Sequence, residues 1–201
     1  MLKTMSEAIE FYDTLNRAED ADYRFPVLKL RPDQQESSSL KEFGLPKSYL
    51  DFVCRYEIED VSISFLNLGP IPSESLQQFL RDRNGMNANP YVPDNMLEVA
   101  SFEADPLLVT KGSHGHSDGR VFYLDISTGY FPPPVFLAES FPSMVLTAAN
   151  IEKLLRSDPL VNANDVELDA TEVLNILRFV DPDIPQESAE LWMCMFGCYT
   201  S

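Results

Sequence analysis

Three short apolar runs between Leu97 and Leu137 constrain the fold more than any other part of the chain. Leu97–Phe102 with Leu107–Thr110, then Val121–Ile126, then Val135–Leu137, are strand-like and separated by turn residues. This pattern predicts an antiparallel meander. Pro132, Pro133 and Pro134 suit a sheet edge, where no ladder N–H is required. The centre of the meander, Leu107 to Gly129, holds both histidines, His114 and His116. It also holds Gly112, Gly115, Gly119 and Gly129, half of the eight glycines.

Helical signals flank these runs. Thr4 and Glu7 have the spacing of a capping box, and Ala8, Phe11, Tyr12 and Leu15 then share a face, predicting a helix over about Met5 to Asp20. Arg31 to Lys41 reads as a polar loop. Pro46 suits a first helical turn, and Tyr49, Phe52, Val53 and Tyr56 follow as a core-facing stripe. Val61, Ile63, Phe65 and Leu66 read as one strand. Ser73 is positioned to cap a short helix that turns Leu76, Phe79 and Leu80 inward. A helix is expected over about Pro142 to Arg156, and two more over about Ala170–Val180 and Gln186–Tyr199, broken at Asp181–Pro185.

With 44% hydrophobic residues, the 201-residue chain has the material for a core. Its formal net charge of −17 repels nucleic acids and anionic membranes and suits a basic partner. Residues 157–201 carry nine acids against one base, Arg178, so nearly half of that charge sits in the last 45 residues. No run approaches the roughly 20 apolar residues of a membrane span, and charged residues interrupt the place of a signal peptide's apolar stretch. Three cysteines, Cys54, Cys194 and Cys198, are no disulfide framework and point to a reducing cytoplasm.

Several arrangements resemble chemical sites. His114 and His116, with Asp118 and Asp125 nearby, have metal-ligating types, but a third ligand would have to be a carboxylate or thiol. A polar hairpin tip accounts for the same residues. Gly112 to Gly119 lacks the G-x-x-x-x-G-K-[ST] pattern of a phosphate loop. Asp118 and Asp125 as an acid–base pair compete with turn-capping roles. Cys194 and Cys198 read as reduced thiols on a packed helix, and Cys54 as a core neighbour. Trp192, Met195, Phe196 and Tyr199 give the last helix a wide apolar arc, expected to be buried by its own domain.

The order of these motifs resembles the SMI1/KNR4 (SUKH) superfamily over about residues 40–156. Leu45, Pro46, Tyr49 and Phe52 match its opening Leu-Pro helix. Gly115, Asp118, Gly119, Leu124 and Asp125 match its glycine-rich hairpin and Leu-Asp strand end, and Ser140 and Phe141 its Ser-Phe entry into a helix. Glu57–Asp60 stands where the family often has Asn-Gly. The resemblance implies a small α+β domain without catalytic activity or cofactor: an antiparallel sheet packed with helices over residues 1–156. Residues 157–201, outside the family's common core, are expected to form an acidic helical extension packed on it. It further implies a protein-binding module, in bacteria an immunity protein that binds and neutralises a co-encoded basic toxin such as a nuclease. An intracellular scaffold or regulatory protein is the alternative, and a metal-dependent hydrolase on the histidine loop a third. The expected partner-binding residues are Glu57, Glu59, Asp60, His114, His116 and Asp118, flanking the first core helix and the hairpin tip.

Overall fold

The computed structural model describes residues 1–18, 28–31, 37–86, 88–112, 119–127, 132–156 and 168–198. The described residues form an α+β fold of six α-helices, an antiparallel six-stranded sheet and a two-stranded sheet. Helix α1 (Met5–Ala18) starts at the expected capping box: Thr4 Oγ1 accepts from the Glu7 N–H at 3.2 Å, and Glu7 Oε2 accepts from the Thr4 N–H at 3.3 Å. Strand β1 (Lys29–Leu30) pairs with β2 (Tyr56–Glu57), a contact without a local sequence signal. Of the expected polar loop, residues 32–36 lie outside the described residues, and its end is instead a 3-10 helix, Ser37–Phe43, that buries Leu40. Helix α2 (Lys47–Arg55) takes Pro46 as its N-cap and buries Tyr49, Phe52 and Val53, as the stripe requires.

The expected strand over Val61–Leu66 is instead a hairpin of β3 (Ser62–Ile63) and β4 (Leu66–Asn67). Ser64 turns the chain at φ +53°, without the Gly or Asn that usually marks such a turn. A distant contact holds it: the Ser64 N–H donates to Glu152 Oε2 at 3.0 Å. Helix α3 (Leu76–Asn84) is capped by Ser75 rather than Ser73, its Oγ accepting from the Gln78 N–H at 3.2 Å.

Strands β5 (Met96–Phe102), β6 (Asp105–Thr110), β7 (Val121–Tyr123) and β8 (Val135–Ala138) complete the sheet in the order β3-β4-β5-β6-β7-β8, an antiparallel meander as expected. β8 follows the three prolines and stands at the edge. Two bulges interrupt the ladder. Val99 is the extra residue between Glu98 and Ala100, and Leu137 the extra residue between Phe136 and Ala138.

Helix α4 (Phe141–Leu155) starts at a capping box of Ser140 and Ser143 and is buried along much of its length. It packs against α1, α2, β3 and β8. Helices α5 (Ala170–Val180) and α6 (Gln186–Met195) pack on α4 and β8. α6 ends before the expected Tyr199. Its last turn closes around Gly197, where the Cys198 N–H returns to the Met193 carbonyl at 2.8 Å. Trp192 is only 1% exposed, and its Nε1–H donates to the Leu137 carbonyl at 2.9 Å. Leu137 is the bulged residue, and the indole N–H satisfies its carbonyl.

Candidate functional site

Alternation along the short strands creates two unlike faces. Ile63, Leu66 and Phe102 lie together on one, buried in the core. Their neighbours Ser62, Asn67 and Ser101 lie together on the other. There Ser62 Oγ donates to Asn67 Oδ1 at 2.7 Å, and Asn67 Nδ2 donates to Ser101 Oγ at 3.5 Å. This polar row floors a cleft of about 450 Å³ that α3 borders with Phe79 and Arg83. Asp60, Glu74 and Glu103 also line it, as does Ile71, which is 63% exposed.

The backbone fixes the positions of two of these acids, Asp60 and Glu103. Asp60 sits at φ +56°, its N–H donating to the Pro70 carbonyl at 2.8 Å. Gly69 permits that approach: a Cβ there would stand 2.2 Å from the Ile58 carbonyl oxygen. Glu103 occupies the β5–β6 turn at φ +49°, its N–H donating to the Phe65 carbonyl at 2.9 Å. The tips of two neighbouring hairpins are thereby tied together.

Helix α3 is stitched to the sheet at the first bulge. Asn84 pairs with both backbone groups of Glu98: its Oδ1 accepts from the Glu98 N–H at 2.8 Å, and its Nδ2 donates to the Glu98 carbonyl at 2.9 Å. Arg83 donates to Glu98 Oε1 at 2.6 Å and lies over the Phe79 ring. Burial pushes the Glu98 carboxyl above its usual range, and Arg83 offsets part of that push. Arg83, the one cation among the described residues that line the cleft, is therefore already matched by a carboxylate. Asp60, Glu74 and Glu103 leave the lining acidic.

Three further polar side chains, Tyr12, Asn150 and Glu152, hold elements together. Glu152 accepts from Tyr12 Oη at 2.9 Å and from Arg156 Nε at 3.1 Å, besides Ser64. Burial, and then Glu152, hold the Tyr12 hydroxyl far above its ordinary pKa. Asn150 accepts from the Leu2 N–H at 2.6 Å and donates to the Leu2 carbonyl at 3.0 Å. Asp125 caps its own turn, accepting from the Ser127 N–H at 2.8 Å. Burial raises the thiol pKa of Cys54 and Cys198, opposite to thiolate activation. Among the described residues, no group of three or more His, Cys, Asp or Glu is placed to hold a metal, and no helix is long and apolar enough to cross a membrane.

The expected partner-binding residues are placed unequally. Glu57 is half-buried in β2, opposite Lys29. Glu59 and Asp60 are exposed on the turn that follows, and Asp60 lines the cleft. His114, His116 and Asp118 lie outside the described residues. The described roots of their loop stand at the start of α2. The Gly112 N–H donates to the Gly44 carbonyl at 2.6 Å, and Gly119, at φ +74°, packs over Ser48. Glu57 to Asp60 follow the opposite end of that helix. Glu74, Glu103 and the polar row were not foreseen. The alternation of Ser62 with Ile63 and of Leu66 with Asn67 was their available signal. Comparison with family models, with curated proteins and with solved structures found no match.

Proposed function

We propose that this chain is a non-enzymatic, cytoplasmic protein-binding module of SMI1/KNR4 type, acting as an immunity protein that occludes a basic toxin such as a nuclease. The observation that carries this reading is the exposed acidic turn of Glu59 and Asp60, which opens directly onto an acid-lined cleft. On a chain of net charge −17, such a surface attracts a cationic protein and raises its association rate. The acids stand in for the phosphates that a nuclease would otherwise hold. Glu57, His114, His116 and Asp118 are proposed as further partner-binding residues.

The test is titration calorimetry with a candidate basic toxin domain co-encoded with this chain, together with an assay of the toxin's activity. A stoichiometric complex that silences the toxin and weakens as salt is raised is the expected result. Failure of the wild-type chain to bind or inhibit that domain rules out the immunity reading.

A further inference from the structure

We propose that the cleft between α3 and the polar face of β3, β4 and β5 receives an extended, arginine-bearing segment of a basic protein partner. The inference rests on the binding-module reading above and names the place and the chemistry of contact. This part of the sheet presents Ser62, Asn67 and Ser101 outward, although their strand neighbours Ile63, Leu66 and Phe102 are buried. The cleft between this polar face and α3 has a volume of about 450 Å³.

The lining selects the sign of the guest. Arg83 is neutralised by Glu98, so the charges left for an incoming group are those of Asp60, Glu74 and Glu103. They line it from three separate places: the turn before β3, the segment before α3, and the β5–β6 turn. A guanidinium, with five donors in a planar fork, can meet more than one of them at once. The aliphatic part of an arginine meets Ile71 and Phe79, which share the same lining. Serine hydroxyls and the Asn67 amide along the floor suit the backbone of an extended segment. An acidic segment would meet three like charges and is excluded by the same groups.

The experiment is an NMR titration of the full, isotope-labelled chain at low salt. The probe is a capped pentapeptide of alternating alanine and arginine, with its glutamate counterpart as control. Saturable shifts centred on the amides of Ser62, Asn67, Ser101 and Glu103, given by the arginine peptide alone, are expected. The triple variant Asp60→Asn, Glu74→Gln, Glu103→Gln, with an otherwise wild-type spectrum, is expected to bind at least 10-fold more weakly. A separate variant, Glu172→Gln with Glu187→Gln and Glu190→Gln, removes acids of α5 and α6 and is expected to bind like wild type. Shifts spread over α5 and α6, undiminished binding by the cleft variant, or no binding by wild type would each overturn the cleft assignment. The toxin-domain calorimetry reports separately on the module, since a complex that forms equally well with the cleft variant leaves that reading standing and removes only this site.

Discussion

The two faces of the β3–β4–β5 sheet use similar hydrogen-bonding devices to different ends. On the face carrying Phe102, α6 brings Phe196 to 6.3 Å between ring centres, and the nearby Ser64 turn is held by Glu152 of α4. Around Glu152 the donors come from α1, from that turn and from Arg156, the C-cap of α4. On the face carrying Ser101, α3 repeats the device once, with Asn84 and Arg83 on Glu98. Beyond that stitch the face stays open as the cleft. A closed polar network fixes the packing of a core, whereas one that stops short leaves donors and acceptors for another molecule.

The sharpest way to break this contrast is to unseal the closed side. Trp192→Ala removes the largest fully buried side chain, leaves a cavity and orphans the bulged Leu137 carbonyl. A loss of about 3–5 kcal/mol is expected in urea unfolding, the usual size for a buried Trp→Ala change. A loss below about 1 kcal/mol would show that α6 contributes little to the core, against the burial in the structure.

The open side is expected to respond less, and mainly through pH. Glu98 is 2% exposed, and burial outweighs Arg83 in setting its pKa, which lies above that of an unfolded glutamate. Between those two values the native state holds a proton that the unfolded chain has released. Wild-type stability therefore falls as pH rises through this window, by about 1 kcal/mol for each tenfold fall in proton concentration within it. Glu98→Gln removes that titration, so the difference between the two unfolding free energies should change across weakly acidic pH. Parallel curves from below the ordinary glutamate pKa to neutrality would show that Glu98 titrates alike in both states.

Much of this arrangement was legible locally. The Thr4–Glu7 spacing marked the start of α1, the Tyr49–Phe52–Val53 stripe marked α2, and the spaced runs after Leu97 marked the meander, because neighbouring residues supply those signals. The β3–β4 hairpin was not legible, since its turn at Ser64 depends on a carboxylate 88 residues away. Read as one strand, Ile63 and Leu66 fall on opposite faces. Folded as a hairpin, they share the buried one, and Ser62 and Asn67 come together on the other. That misreading hid the cleft. Asp60 was foreseen from its charge and loop position, but Glu74 and Glu103 join it only once β4 pairs with β5 and α3 packs on β5.

A buried tyrosine of the closed core runs against the comparison. Tyr49 is fully buried on α2, its ring 4.8 Å edge-on from that of Phe141 on α4, yet its hydroxyl has no hydrogen-bond partner among the described residues. Burial alone raises its pKa. A buried hydroxyl without a partner forfeits its hydrogen bonds to water and receives nothing in exchange. Tyr49→Phe keeps the ring and its packing while removing only that group. The variant is expected to equal or exceed wild type in stability, by up to about 1 kcal/mol, in urea unfolding monitored by circular dichroism. A loss of more than about 1 kcal/mol would mean that the hydroxyl is satisfied in solution, and that the closed face has no polar group left unmet at this position.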